Sequence, residues 1–270
     1  MSVALPGSIL DNAQSPELRS YLAGQIARAL AVFNVDEIVV FDDEGKSATG
    51  GKSETTTEGE FSGVGRHGKG CLQLARILQY LECPQYLRKH FFPIHQDLKY
   101  AGILNPTDMP HHLRASEDCA YREGIVLDRP PAKRGSIVSV GLSKDVVIDK
   151  RLNPGIRVTV ELDQDPFASS GTKLADGKVV APDVPRREAG FYWGYTVRLA
   201  ENLSSVFAKV SNTKRQYECV VGLSCNLSVS LSRGLRPHCR HLGAGSISGR
   251  ERPEIRVLAS ADRLWGRQRP

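Results

Sequence analysis

Residues 3–43 read VALPGSILDNAQSPELRSYLAGQIARALAVFNVDEIVVFDD, an apolar run at each end with a helical pattern between. Ser15 is typical of a helix N-cap, Pro16 of the first helical position and Glu17 of the first turn. The spacing of the apolar residues then predicts an amphipathic helix, with a stripe formed by Leu18, Leu22, Ile26 and Leu30. The stretch therefore predicts a β-α-β unit, and ligands of open α/β sheets bind beyond the carboxyl ends of such strands.

Composition indicates a globular protein with one large or two small domains. The chain has 270 residues, of which 40% are apolar and 24% are charged. We find neither an apolar run of about 18 residues nor a basic leader followed by an apolar core, so we expect no membrane association and no signal peptide. The six cysteines form no CxxC pair, which favours free thiols in a reducing compartment.

The positive charge is concentrated near the C-terminus. The formal net charge is +6, and residues 217–270 contain nine arginines, four acids and no lysine. A basic balance is typical of proteins that bind nucleic acid. In this chain, most of the net positive charge belongs to residues 217–270.

Residues 43–70 are rich in Gly, Ser, Thr, Lys and Glu, a composition that predicts a mobile loop. Within them, Gly63–Gly70 fits GxGxxG and nearly fits a phosphate-binding loop. No strand immediately precedes this motif, and Gly70 lacks the hydroxyl that would hold magnesium. We therefore interpret these as ordinary loop glycines.

Two helices follow, predicted at Cys71–Glu82 and Gln85–Phe92, and separated by Pro84. Arg88 and Lys89 lie beside aromatic residues, so they are candidates for an RNA surface, although a solvated helix end fits equally. The linker that follows contains His111, His112 and Arg114. RNA contact is possible there as well, but a solvated turn is the favoured interpretation of the two histidines.

Between residues 124 and 180 the apolar period changes to two, and turn residues separate the apolar runs. Five short strands are typical of an OB-like β-barrel, a fold that often binds oligonucleotides. These strands lack the aromatics that stack on bases, which weakens an RNA-binding interpretation. The predicted strands are Gly124–Leu127, Ser136–Val140, Asp145–Ile148, Ile156–Leu162 and Lys178–Val180.

Residues 190–199 form the densest aromatic stretch and predict a strand with one apolar face. The other face carries Tyr192, Thr196 and Arg198. A guanidinium beside a phenol and a hydroxyl suits a phosphate or a base, and a structural ion pair for Arg198 is the alternative.

Three blocks carry a resemblance to a known family: residues 2–18, 73–89 and 192–199. They resemble RNA methyltransferases of the SPOUT class, over about residues 2–222. The resemblance implies a Rossmann-like α/β sheet with an OB-like insertion and a C-terminal trefoil knot. It also implies S-adenosylmethionine as methyl donor, RNA as substrate and a homodimer. One relative within the class further implies spindle and kinetochore (centromere) association, in nucleus and cytoplasm.

The sequence departs from the family after Gly222. The family continues into a Gly-Thr-Ser-Glu-Arg-Gly loop, whereas this chain reads LSCNL, so that only Gly222 and Ser224 match as donor-binding residues. We therefore expect the knot to be missing or incomplete, and the chain to be an inactive or impaired isoform from alternative splicing. The alternative is a non-catalytic RNA-binding or spindle-associated protein. We assign no catalytic residue.

The predicted domains are residues 1–112 with 190–223 (SPOUT-like α/β), 113–189 (OB-like insert) and 224–270 (basic irregular tail). Zinc binding in the tail is a further alternative. The spacing of its first two cysteines argues against it, so we expect no metal. The residues concerned are Cys219, Cys225, His238, Cys239 and His241.

Overall fold

A computed structural model describes residues 1–43, 68–129, 135–162 and 174–207 in full. Of residues 54–56, 59–61, 208, 220–223, 229–230 and 256–259 it describes the backbone. The zinc candidates and Ser224 lie outside this part of the chain. The chain divides into two compact units: unit 1 with residues 1–23, 35–76 and 196–270, and unit 2 with residues 24–34 and 77–195.

Thirteen strands and five α-helices are found in the described residues. The strands are β1 (Ser2–Pro6), β2 (Glu37–Phe41), β3 (Glu54–Thr56), β4 (Gly59–Phe61), β5 (Tyr121–Val126), β6 (Ile137–Ser139), β7 (Asp145–Ile148), β8 (Arg157–Leu162), β9 (Leu174–Val180), β10 (Thr196–Ala200), β11 (Val220–Leu223), β12 (Val229–Ser230) and β13 (Arg256–Ala259). The helices are α1 (Pro16–Val32), α2 (Gly68–Glu82), α3 (Gln85–Phe91), α4 (Val184–Ala189) and α5 (Leu203–Ala208).

Unit 1 contains a six-stranded sheet in the order β10-β2-β1-β13-β11-β12. All neighbouring strands are parallel except β11 and β12. The predicted β-α-β unit is confirmed, because β1 and β2 pair in parallel along their whole length. A buried apolar cluster against this sheet consists of Ala4, Val39, Phe41, Ala200 and Val206.

Helix α1 begins where the sequence predicted, and the Ser15 hydroxyl accepts a hydrogen bond from the Leu18 N–H at 3.3 Å. Its buried face differs from the predicted stripe. Leu18 is 52% exposed. Most of the buried positions are small residues, whose side chains allow close packing. The buried positions are Ser20, Ala23, Gly24, Ala27, Leu30 and Ala31.

The barrel predicted in the insert is confirmed. Strands β5-β6-β7-β9-β8 close on themselves, with β7 and β9 parallel and the other pairs antiparallel, which is the strand order of an OB-fold. Gly124 and Gly177 leave room for the interior: a Cβ on Gly124 would lie 2.4 Å from a Val138 methyl group. The interior is filled by Val126, Val138, Val140, Val146, Ile148, Val158 and Val160.

Several local predictions differ from the structure. The predicted strand from residue 190 begins only at Thr196, because Gly194 has a φ of +87° that an extended strand does not allow. The predicted loop at 43–70 contains the β3–β4 hairpin and the first residues of α2. The tail contributes two strands that were not predicted, and β13 lies between β1 and β11.

Candidate functional site

The carboxyl ends of β1, β2 and β10 meet at one edge of the sheet in unit 1, where ligands of open α/β folds bind. The side chains that follow these strands are polar. The Ser8 hydroxyl donates to Asp43 at 2.6 Å, and Asp42 is 8% exposed. This edge is the candidate site of unit 1.

Gly7 allows the N-terminal turn of α2 to approach this edge. A Cβ on Gly7 would lie 2.2 Å from the Cys71 sulfur and 2.8 Å from the Cys71 backbone nitrogen, so only glycine fits. The Cys71 thiol donates to the Phe41 carbonyl at 3.5 Å. Burial, and then the charges of Asp42 and Asp43, raise the pKa of Cys71 to about 12, so this cysteine is a structural thiol and not a nucleophile.

Arg198 lies on β10 and has the ion pair that was the alternative interpretation. Its Nε donates to Glu37 at 3.2 Å and its Nη2 to the Val206 carbonyl at 3.1 Å. The guanidinium is thereby fixed between β2 and α5.

Unit 2 contains a buried ionic cluster, which we call the Glu82 cluster: Glu82, His111, Glu123 and Arg157. Arg157 binds both carboxylate oxygens of Glu82 at 2.8 Å, and its Nε also donates to Glu123 at 2.9 Å. His111, which is completely buried, lies 3.3 Å from Glu82. Gly194 packs directly against the cluster, and no larger residue fits there, because a Cβ would lie 2.6 Å from the Glu82 carboxylate.

The cluster fixes the charges of its members. Burial opposes ionisation of Glu82, but Arg157 and His111 outweigh it and lower the pKa of Glu82 to about 2. Burial also opposes protonation of His111, but Glu82 and Glu123 raise its pKa above the ordinary value. Burial raises the pKa of Glu123 despite the opposing charge of Arg157. Glu82 is therefore the carboxylate whose charge the cluster stabilises, and it faces a guanidinium and an imidazole whose charged form is favoured.

The Glu82 cluster also has the composition of a metal site, since ligand atoms of Glu82, His111 and Glu123 lie within 4.8 Å of one another. Arg157 already occupies the oxygens that a cation would need. A metal ion would have to displace a bidentate guanidinium from a buried site, so we assign the cluster to structure.

The two histidines of the linker end helix α2. Both Nε2 atoms donate to the Glu82 carbonyl, from His111 at 2.8 Å and from His112 at 2.6 Å. The predicted solvated turn is wrong here, because the last carbonyl groups of a helix need donors and these rings supply them. Burial and the charge of His111 lower the pKa of His112 to about 4.

The other predicted RNA-binding residues differ in accessibility. Lys89 and Arg114 are exposed. Arg88 is half-buried against the end of α2, and Tyr192 is only 7% exposed. Nothing in the described contacts brings these residues to one point.

Of the predicted donor-binding pair, Gly222 lies in β11. It is opposite Leu258 of β13 and Ser230 of β12.

Sequence reasoning missed the Glu82 cluster. Arg122 and Glu123 are charged, and the strand was therefore predicted to begin after them, whereas both are buried in β5. The available signal was this pair of charges directly adjoining an apolar run, together with Glu82 at the end of an apolar helix.

The mostly parallel sheet and the closed five-stranded barrel define a mixed α/β protein. The chain belongs to the family described as "Putative RNA methyltransferase", whose family model matches residues 1–244. The resemblance to RNA methyltransferases of the SPOUT class is thereby confirmed.

Curated relatives agree with this family. The human 28S rRNA (uridine-N(3))-methyltransferase is 59% identical over 242 residues, which cover 89% of this chain and 62% of the human protein. The mouse protein of the same name is 60% identical over 83% of this chain and 56% of its own length. The Drosophila melanogaster protein of that name is 52% identical over 83% of this chain and 46% of its own length. The chain thus spans less than two thirds of each of these relatives.

Among the helices of the described residues, none is both long enough and apolar enough to cross a membrane.

Proposed function

We propose that this chain carries the methyltransferase fold of an enzyme that transfers a methyl group from S-adenosylmethionine to N3 of uridine in ribosomal RNA. The observation that carries the proposal is the family match over residues 1–244, with three relatives named for this reaction. The parallel sheet and the OB-fold barrel are consistent with it.

The chemistry sets requirements for the protein. When bound, S-adenosylmethionine supplies an electrophilic methyl group on a sulfonium centre. N3 of uridine carries a proton, so this proton must leave as the nitrogen–methyl bond forms and the sulfur–methyl bond breaks. Positioning of the uracil ring and removal of the proton are therefore the tasks of the protein.

Gly222 and Ser224 are the residues that we propose to hold the donor. Gly222 belongs to the carboxyl end of β11, which runs parallel to β13 and through it to β1. This is the edge at which Ser8, Asp42 and Asp43 also lie. The position therefore fits a small-molecule ligand of an α/β sheet.

For RNA, we propose contacts from Arg198, Tyr192, Arg88, Lys89 and Arg114. Lys89 and Arg114 are exposed and reach solvent as they stand. Contact by Tyr192 requires its ring to leave a buried position. A homodimer, a location in nucleus and cytoplasm, and spindle association belong to the same proposal, by family resemblance alone.

A second candidate function is RNA binding without catalysis. It is favoured by one observation: the residues after Gly222 are LSCNL, in place of the family's Gly-Thr-Ser-Glu-Arg-Gly. The inactive isoform and the missing or incomplete knot would follow from this change, which lies mostly outside the described residues.

Donor binding and product analysis separate the two candidates. The full chain is titrated with S-adenosylmethionine in a calorimeter, then incubated with methyl-labelled donor and an RNA fragment of the large ribosomal subunit. We expect micromolar donor binding and labelled N3-methyluridine by mass spectrometry. Gly222→Val should abolish both. Gly102→Ala is the matched control, since a Cβ there meets nothing within 4 Å. RNA binding without donor binding would refute the enzyme and support the second candidate.

A further inference from the structure

Helix α3 and the end of α2 form a small surface that combines rings and cations. We call it the α3 surface: Tyr80, Arg88, Lys89, His90 and Phe92. The guanidinium of Arg88 lies 4.5 Å from the centroid of the Tyr80 ring. On the same ring, Phe92 packs edge-on with centroids 5.5 Å apart. The guanidinium thus lies over the Tyr80 ring, and the Phe92 ring stands nearly perpendicular to that ring.

The arrangement is held rigidly. Arg88 donates from Nε to the Cys83 carbonyl at 2.9 Å and from Nη2 to the Leu81 carbonyl at 3.5 Å. These hydrogen bonds to carbonyl groups at the end of α2 hold the guanidinium over the Tyr80 ring before any ligand binds. A surface whose side chains are already ordered loses less conformational entropy when it binds a partner.

Helix α3 lies on the outside of the barrel. The Tyr86 ring fills the space over Gly141, where a Cβ would lie 2.5 Å from the ring, and the Tyr86 hydroxyl donates to the Glu123 carbonyl at 2.7 Å. Leu87 packs with Ile125 of β5. The outer side of α3 therefore extends the barrel surface on this side.

The charge of this segment is positive. Residues 85–100 contain Arg88, Lys89 and Lys99 but a single acid, Asp97. That acid lies 3.4 Å from the His95 ring. Lys89 and His90 are exposed, whereas Tyr80, Arg88 and Phe92 are half-buried.

We propose that the α3 surface binds single-stranded RNA, with bases stacking on the Arg88 and Phe92 planes and Lys89 contacting a phosphate. The inference rests on the proposed function, because it takes RNA as the partner. Aromatic rings and guanidinium groups stack on any base, and cations contact the phosphate backbone. We therefore expect this surface to bind a single strand without sequence specificity.

Fluorescence anisotropy of a labelled twelve-nucleotide oligouridine, at several potassium chloride concentrations and without methyl donor, tests the proposal on the full chain. Lys89→Gln should reduce the slope of log affinity against log salt by about 0.7, which is about fivefold in affinity at 0.1 M salt. Phe92→Leu should weaken binding about fivefold or more without changing the slope. Lys150→Gln, another exposed lysine, is the matched control and should change neither.

Thermal unfolding of each variant checks that the fold is kept. An unchanged affinity and slope in Lys89→Gln would overturn the proposal. An equal effect of Lys150→Gln would also overturn it, since binding would then follow net charge alone. Because the assay contains no donor, loss of methyl transfer with intact RNA binding would count against the proposed function and not against this surface.

Discussion

Replacement of Arg157 by methionine should destabilise unit 2 by several kilocalories per mole. The change keeps the length of the side chain but removes the guanidinium that binds Glu82 and Glu123. Two buried carboxylates are then left side by side, and breaking such a buried pair costs about 3–5 kcal/mol.

The pKa of Glu82 reflects the same ion pair, together with the contribution of His111 and the opposing effect of burial. It is lowered from 4.5 to about 2, which corresponds to about 3 kcal/mol at 1.36 kcal/mol per pKa unit. Because the pKa is lowered in the folded state, this stabilisation is present above pH 4.5 and is lost as the pH falls towards 2. The difference between wild type and Arg157→Met should therefore be largest near neutral pH and shrink in acid.

Trp193 is a local reporter for this experiment, since its ring lies 5.9 Å from that of His111. Urea unfolding is followed by its fluorescence in a background in which Trp265, the second tryptophan, is changed to phenylalanine. Arg129→Met is the matched control. Its ion pair with Asp145 at 2.8 Å is largely exposed, so its loss should cost about 0–1 kcal/mol.

The companion variant Arg157→Met/Glu82→Gln should recover part of the loss, because one of the two carboxylates that lost the guanidinium is removed. Equal stabilities of Arg157→Met and Arg129→Met would refute a buried ionic cluster. So would a double variant no more stable than Arg157→Met.

Two further predictions concern Gly7 and the histidine pair. Gly7→Ala should cost about 1–3 kcal/mol or more by thermal unfolding, because the new methyl group meets Cys71 backbone atoms as well as its sulfur. Gly102→Ala should be nearly neutral, and similar melting temperatures for the two would contradict the close approach. In an NMR titration, His112 should stay neutral down to about pH 4, while His111 holds its proton above pH 6.5. Since the pKa of His112 is lowered by folding, its contribution to stability is present above pH 6.5 and is lost as the pH falls to about 4; a single titration near 6.5 for both rings would contradict their burial.

Much of the fold was predictable because local patterns decide it. Ser15, Pro16 and Glu17 placed the start of α1, and the period-two runs located all five barrel strands, although β9 begins at Leu174 and not at the predicted Lys178. Residues 191–195 were predicted as strand because aromatic residues favour strands, but Gly194 bends the backbone to clear Glu82, a tertiary constraint with no local signature.

The Glu82 cluster shows the same limit for buried charged residues. Glu82 and Arg157 are 75 residues apart, and their pairing depends on how α2 meets the barrel. A solvated turn was the alternative for His111 and His112 because they fall in the linker into the insert. His111 is buried and His112 half-buried because both rings donate to the Glu82 carbonyl, which has no partner within the helix. This interaction can be recognised only when the positions of helix and linker are known.

The position of β10 has a consequence for synthesis of the chain. β10 pairs with β2 from Glu37 to Phe41, yet the entire barrel is translated between them. Closing so long a loop is slow for an open coil, and a barrel that has already folded shortens the effective loop. Until residue 200 leaves the ribosome, one side of β2 presents unpaired amide and carbonyl groups. On the nascent chain, this strand is therefore one place where wrong pairing between neighbouring polypeptides can begin.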